Sequence, residues 1–155
     1  MAITDRSLDS EERAEITRFM KMALKQIGAD RAAAPDPDKL QTLISRAIDQ
    51  YRKQDEFRRK ASLLDASVSL GSLWGQLICD QIGWTWAFVK MGDGKEYYGV
   101  VSPNRSHLIF PIHHIQELLI DPAREQNSLA LYHSIKSGAL PPSKEREYLV
   151  LGSVV

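Results

Sequence analysis

Four histidines are the residues best suited to acid–base or metal chemistry: His107, His113, His114 and His133. Histidines that share one metal ion usually lie on the same face of a helix or strand. His113 and His114 are adjacent, so on a helix their side chains diverge by about 100°. Neither a cysteine nor a carboxylate follows at a matching spacing. The sequence therefore predicts no metal site, and the histidines are expected to be partly exposed residues at a helix start and on a strand.

The other residues capable of catalysis form no known arrangement. Cys79 is the single cysteine, and its expected position in mid-helix, beside Asp80, does not lower the pKa of a thiol. We expect it to be a structural core residue. The sequence contains no nucleophile elbow, phosphate loop or dinucleotide-binding turn. Carboxylate pairs such as Glu145 and Glu147 lie in polar stretches that would not bury them. The sequence thus predicts no catalytic residue and no cofactor.

The charge balance argues against nucleic acid as the partner. Lys and Arg number 20, and Asp and Glu also number 20, whereas a duplex-binding protein carries a basic excess on one face. The densest basic run, residues 52–60, contains Asp55 and Glu56. It is therefore interpreted as the solvated face of a helix.

The expected location is the cytoplasm. No apolar run approaches the roughly 20 residues needed to cross a bilayer. The stretch Met1 to Ser10 has no apolar core of the kind found in secretory signals. A single cysteine also excludes an intramolecular disulfide, which agrees with a reducing compartment.

Two amphipathic helices are predicted before residue 60. Asp9 and Glu12 have the spacing of a capping box, so the first helix is expected to begin at Asp9 or Ser10 and to end near Gly28. A loop over residues 29–38 follows. A second helix then begins at Asp36–Pro37, and the two helices are expected to pair as an antiparallel hairpin. The charged residues 52–60 either continue the second helix or link it to the next.

A third helix, Ala61 to Gln81, is predicted to be the buried centre of the domain. Leu70, Leu73, Trp74, Leu77 and Ile78 form one broad apolar face. Gly71, Gly75 and Cys79 recur every four residues beside it, so the helix is apolar nearly all round. Glycine inside a helix costs roughly 1 kcal/mol relative to alanine. Two glycines at this spacing therefore indicate that another backbone packs closely there.

The periodicity changes from helical to alternating after Gly83. Trp84, Trp86 and Phe88 fall on one face of a strand. Gly92-Asp93-Gly94 predicts a hairpin turn. Further strands are predicted over residues 97–102 and 105–110. Two short helices, 112–120 and 128–137, follow, and residues 148–151 are expected to add an edge strand.

The predicted fold class is α+β. It comprises an N-terminal helical hairpin, a buried central helix, a three- to four-stranded antiparallel sheet and short C-terminal helices. Residues 1–155 are expected to form one domain, with a helical N-terminal portion (1–60) and an α+β core (61–155).

Aromatic residues are the most distinctive feature of the second half of the chain: Trp74, Trp84, Trp86, Phe88, Tyr97, Tyr98 and Phe110. We expect most of them to pack between the central helix and the sheet. Alternatively, some of them line a partner surface, where Trp and Tyr are favoured anchors.

The order of these elements is similar to that of a small bacterial domain family of unknown function. The resemblance rests on Leu70-Gly71-x3-Gly75, then Gly83-Trp84-x-Trp86, then Phe110-Pro111. It covers roughly residues 63–132, less than half of the chain. It implies a glycine-bearing helix, a tryptophan-bearing strand with a hairpin, and a later strand that ends in Phe-Pro. It implies no catalytic residues.

The leading functional hypothesis is a protein-binding module, most concretely a cytoplasmic immunity or inhibitor protein that masks the active site of a cognate bacterial toxin. This hypothesis is an analogy with small, neutral proteins of that class. The expected partner-binding residues lie on the hairpin, after it and in the basic run: Asp93, Lys95, Glu96, Tyr98, Arg105, His107, Arg58 and Arg59.

Two rival hypotheses remain at this point. One is a small enzyme or ligand-binding domain with a pocket between the central helix and the sheet, using His107, His113 or His114 as acid–base groups. The other is a homodimer formed through the helical hairpin or the C-terminal edge strand.

Overall fold

The computed structural model describes residues 2–30 and 36–152. Residues 31–35, which include Pro35 of the predicted loop, lie outside the described residues. Within the described ranges the chain forms five helices, α1 (Ser10–Gln26), α2 (Pro37–Arg52), α3 (Glu56–Ile82), α4 (Pro111–Ile120) and α5 (Ser128–Ser137). The five strands are β1 (Thr4–Ser7), β2 (Thr85–Lys90), β3 (Glu96–Val101), β4 (His107–Ile109) and β5 (Leu149–Val150).

Capping side chains determine where the first two helices begin. The backbone N–H of Glu12 donates to Asp9 Oδ1 at 2.8 Å, and the N–H of Asp9 donates to Glu12 Oε1 at 2.9 Å. This reciprocal capping box confirms the predicted start of α1. Gly28 follows the helix with φ +73°, as expected for a glycine at a helix end. In α2, Asp36 caps the helix and Pro37 occupies the first turn.

The third helix is longer than predicted. It begins at Glu56, five residues before the expected start, because the carboxylate of Asp55 accepts a hydrogen bond from the N–H of Arg58 at 2.9 Å and caps it. The predicted pairing of the first two helices also differs from the structure. Both α1 and α2 pack principally on α3 rather than on each other, since α3 is apolar nearly all round and offers each of them a face.

The central position of α3 is confirmed, and its two glycines are in close contact with other elements. A Cβ atom at Gly71 would lie 2.6 Å from Ile112 Cα and 3.0 Å from the Pro111 carbonyl oxygen. A Cβ atom at Gly75 would lie 2.6 Å from Pro111 Cγ and 2.7 Å from Trp86 Cζ2. The predicted close approach of another backbone is therefore made by the start of α4.

The sheet has the order β1-β2-β3-β4-β5 and is mixed. Strands β1 to β4 pair antiparallel, with Val89 opposite both Asp5 and Tyr97. The C-terminal edge strand is confirmed, but it pairs parallel to β4, with His107 opposite Leu149. The sheet thus exceeds the predicted three to four antiparallel strands by β1, whose polar sequence carries no strand pattern.

The two faces of the sheet belong to different hydrophobic clusters. One face, which includes Trp86, Val100 and Ile109, packs into the main core with α3, α4 and α5. The other face contributes a second cluster of buried residues: Ala87, Val89, Val101, Leu108, Phe110 and Tyr148.

The sheet curls so that its two edges meet. The hydroxyl of Tyr148, next to β5, donates to Asp5 Oδ2 on β1, although these strands lie at opposite ends of the strand order. The second hydrophobic cluster therefore lies on the concave side of a curled sheet. The architecture is α+β, as predicted. In the described ranges, no helix combines the length and apolar character that spanning a bilayer requires.

Candidate functional site

The expected partner-binding residues fall into separate regions. Glu96 and Tyr98 line a groove beside α1, and Asp93 and Lys95 form the neighbouring hairpin tip, where the N–H of Lys95 donates to Asp93 Oδ1 at 2.9 Å. The others, Arg105, His107, Arg58 and Arg59, lie elsewhere, and none of them lines this groove.

The groove, called here the hairpin groove, lies between α1, the β2–β3 hairpin and the first turn of α4. It has a volume of about 280 Å³. Nine residues line it: Glu15, Phe19, Val68, Phe88, Glu96, Tyr97, Tyr98, Ile112 and His113.

Aromatic rings form the floor of the hairpin groove and hold one another at defined angles. Phe88 and Tyr98 are opposite each other in the β2–β3 register. Their ring centroids are 5.3 Å apart and the rings are nearly perpendicular. Tyr97 meets His113 edge to face at 4.7 Å. Such pairs stabilise each other beyond the burial of their area, so the floor is a packed aromatic surface.

Two carboxylates stand at the rim of this aromatic floor. Glu15 Oε2 accepts a hydrogen bond from the Tyr98 hydroxyl at 3.1 Å. Burial raises the pKa of Tyr98 to about 12, with this hydrogen bond and the charge of Glu15 adding to the effect. Neither Glu15 nor Glu96 forms an ion pair with any residue that the structure describes. Both can therefore meet a cation brought by another molecule.

A neighbouring cation is already neutralised. Arg6 Nη1 and Nη2 bind Glu12 at 2.8 and 2.9 Å, and the Arg6 guanidinium carbon lies 4.7 Å from the Phe88 centroid. Hydrogen bonds from Arg6 and from the backbone of Asp9 lower the pKa of Glu12 to about 2. The placement of Arg6 shows that a guanidinium fits over this ring system beside a carboxylate.

Arg105 belongs to a second site, called here the edge junction, where the two sheet edges meet. Its Nε and Nη2 each lie 3.2 Å from an oxygen of Asp5. Arg105, Arg146 and Tyr148 all have left-handed backbones, with φ of 60°, 62° and 49°. They line the same cavity of about 540 Å³. Strained backbone of this kind persists only where the surrounding contacts hold it. Arg105 and Tyr148 are held by side-chain hydrogen bonds to Asp5, and the N–H of Arg146 donates to the Asn104 carbonyl at 3.0 Å.

The four histidines lie in different environments, and His113 lines the hairpin groove. The His107 Nε2–H donates to the Pro141 carbonyl at 2.7 Å, so Nδ1 accepts from the Ser106 hydroxyl at 2.7 Å. The expectation that the histidines are partly exposed is wrong for His114, which is buried and stacks on Trp74 at 5.1 Å. Burial lowers the pKa of His114 to about 4. A further histidine, His133, is exposed.

A cavity lies between α1, α3 and the sheet, and it differs from the pocket of the ligand-binding hypothesis in that α1 forms part of its wall. Its volume is about 350 Å³, and its lining includes Gln76, Cys79 and Trp86 but none of the histidines. Trp86 Nε1 donates to Gln76 Oε1 at 3.0 Å. Across residues 2–30 and 36–152, no three His, Cys, Asp or Glu side chains come close enough together to hold a metal ion.

Cys79 is half-buried beside the main core, and its reactivity tests this placement. Burial, reinforced by the charge of Asp80, raises the pKa of the thiol to about 12. We expect iodoacetamide at pH 8 to alkylate the native protein at least about 100-fold more slowly than the urea-unfolded chain, because only thiolate reacts. Comparable rates in the two states would show that the thiol is accessible and ionised.

The two arginines of the basic run at the start of α3 lie in different environments. Arg58 is exposed and lies 3.6 Å from Asp55, whereas Arg59 is half-buried and lines a cleft of its own with Tyr51 and Leu63.

Sequence reasoning missed the α1 side of the hairpin groove. Phe19 belongs to the apolar stripe of α1, and Glu15 precedes it by one helical turn, so the two share a face. A carboxylate in line with an apolar stripe is the feature that could have identified Glu15. Its contact with Tyr98 spans 83 residues of sequence, and no local pattern predicts it.

Comparison with known proteins identifies no relative. No protein-family model, no curated protein and no solved structure matches the chain.

Proposed function

We propose that the chain is a protein-binding module that receives a basic side chain of its partner in the hairpin groove. The observation that carries this proposal is the pair of carboxylates, Glu15 and Glu96, that border an aromatic floor and form no ion pair among residues 2–30 and 36–152. An arginine or lysine seated there gains a carboxylate contact and the attraction of the ring faces.

The most concrete form of this function is a cytoplasmic immunity or inhibitor protein. A toxin that acts on nucleic acid needs a basic cleft to hold the phosphate backbone, and an acidic aromatic groove complements such a cleft. Complementary charges also accelerate the encounter of inhibitor and target. The exposed hairpin tip, with Asp93 and Lys95, would lie at the border of the interface.

The test is a quantitative capture experiment from the native host with three baits. These are the wild-type chain, the double variant E15Q/E96Q, and E125Q as a matched control, since Glu125 is an exposed carboxylate in the loop between α4 and α5. We expect one dominant partner on wild type and E125Q, and at least about tenfold less of it on E15Q/E96Q, because a charge-assisted contact contributes about 1.5 kcal/mol or more.

Two further results decide the outcome. The captured protein should arrest growth when expressed alone, and co-expression of the wild-type chain should restore growth. A reproducible failure to capture any partner, or a partner held equally by E15Q/E96Q, would overturn the proposal. If the captured protein is not toxic, the proposed protein-binding function would stand and the immunity function would be refuted.

Ligand binding is the alternative function, and one observation favours it. The cavity of about 350 Å³ between α1, α3 and the sheet falls within the roughly 300–1,000 Å³ range of small-molecule sites. The W86A variant discriminates the two functions, since it alters this cavity and leaves Glu15 and Glu96 in place.

A further inference from the structure

A cleft at the N-terminal end of α3 contains Arg59, which has no carboxylate within ion-pair distance among the described residues. It lies between the ends of α2 and α4 and the first turns of α3, and it is lined by Tyr51, Glu56, Arg59, Lys60, Leu63, Leu119 and Ile120. We call it the end cleft. Arg59 Nε and Nη1 are buried and make no hydrogen bond to any described residue.

The nearby carboxylate does not neutralise Arg59. Glu56 Oε1 binds Lys60 Nζ at 3.0 Å, and in the described ranges no carboxylate lies within ion-pair distance of Arg59. A guanidinium withdrawn from water without an anion is unfavourable. The end cleft therefore offers an anion a contact that the chain itself leaves open.

The lining of the end cleft combines charged side chains, Glu56, Arg59 and Lys60, with apolar ones. Ile120, in its wall, is 57% exposed. Phe57 and Leu64, seven residues apart on α3, are 82% and 69% exposed. Large apolar side chains exposed together mark surfaces that contact other molecules. A partner that covered this surface would bury apolar area and bring its own charge to Arg59.

We propose that the end cleft is a docking surface for a protein segment that presents a carboxylate beside an apolar side chain. The volume of about 280 Å³ lies just below the roughly 300–1,000 Å³ range of drug-sized ligands, so it suits a single side chain. Phe57 and Leu64 lie outside the lining but on the same N-terminal half of α3, and they offer further apolar contact to a bound segment. This surface prefers the opposite charge to the hairpin groove and does not depend on the function proposed for that groove.

The test is a methyl-detected NMR titration with two synthetic peptides that differ only in charge. The first is acetyl-Glu-Leu-Glu-Leu-amide, and the second replaces both glutamates with glutamine. We expect the acidic peptide to shift the methyl signals of Leu63, Leu119 and Ile120 saturably, and the neutral peptide to bind at least about tenfold more weakly. An absence of saturable shifts at these methyl groups, or equal binding of the two peptides, would overturn the proposal.

Adjacent arginines provide a matched pair of variants. R59Q should abolish the preference for the acidic peptide, and R59K should restore part of it. R58Q should leave the preference unchanged, because the Arg58 side chain is 76% exposed and contacts Asp55 instead. Equal loss in R58Q and R59Q would refute a specific site. Where R59Q perturbs folding, I120S serves as the second variant, and we expect it to weaken both peptides.

Discussion

Replacing Gly71 with alanine is expected to lower the free energy of unfolding by about 3 kcal/mol, the upper part of the range for overpacked cores. An ordinary glycine-to-alanine change inside a helix has the opposite sign and stabilises by roughly 1 kcal/mol. At Gly71 the added methyl group would lie 2.6 Å from Ile112 Cα. Backbone cannot move aside as a flexible side chain can, so α4 must shift as a unit.

The measurement is urea unfolding of G71A, G75A and S72A followed by circular dichroism. G75A should lose less stability than G71A, because its new methyl group would contact the side chains of Pro111 and Trp86 rather than backbone atoms. S72A is the control on the same helix: the buried Ser72 hydroxyl has no hydrogen-bond partner among the described residues, so its removal should be nearly neutral or stabilising. A G71A variant as stable as the wild type would refute the tight contact between α3 and α4.

Removing the carboxylate of Asp5 in D5A is expected to lower the free energy of unfolding by about 2 to 3 kcal/mol, at or below the lower end of the range for a fully buried ion pair, because the Arg105 side chain is 31% exposed. The Asp5 side chain is only 9% exposed and accepts hydrogen bonds from Arg105 and Tyr148. Its loss leaves Arg105 without its anion and releases the two left-handed residues, Arg105 and Tyr148, that these contacts hold. Urea unfolding measures the loss, and the exposed D65N variant should remain close to the wild type.

The pH dependence of stability gives an independent check on Asp5. Burial raises the pKa of Asp5, but the hydrogen bonds from Arg105 and Tyr148 and the charges of Arg105 and Arg146 outweigh it, and the pKa lies below the usual 3.8. A depressed pKa in the folded state means that the stabilisation is present above pH 3.8 and is lost as the pH falls through the folded value. As the pH falls over about two units below pH 5, we expect D5N to lose less stability than the wild type. If the free energies of unfolding of the two proteins fell in parallel with pH, this role of Asp5 would be contradicted.

The helices could be predicted from sequence because their determinants are local. The Asp9–Glu12 capping box, the Pro37 start and Gly138 after α5 each act within a few residues. The same holds for the turn at residues 92–94. The central position of α3 followed from its nearly continuous apolar surface.

The elements that were missed depend on distant partners. β1 has the sequence Thr-Asp-Arg-Ser, which shows no alternation of apolar residues. It forms a strand because it pairs antiparallel with β2 through backbone hydrogen bonds. Asp5 faces the concave side only because Arg105 and Tyr148 are there to pair with it. β5 has only two residues, Leu149 and Val150, and their sequence does not predict that the strand runs parallel to β4. The hairpin residues Glu96 and Tyr98 could be named from sequence, but the α1 half of their groove could not.

The convergence of β1 and β5 has a consequence for the behaviour of the protein at high concentration. Open sheet edges expose rows of unpaired N–H and C=O groups that recruit further chains into intermolecular β-structure. Here both edge strands are short, with four and two residues, and they are tied to each other through Asp5 and Tyr148. Breaking that contact, as in D5A, should let the two edges separate, so the variant should aggregate at high concentration although its unfolding remains measurable in dilute solution.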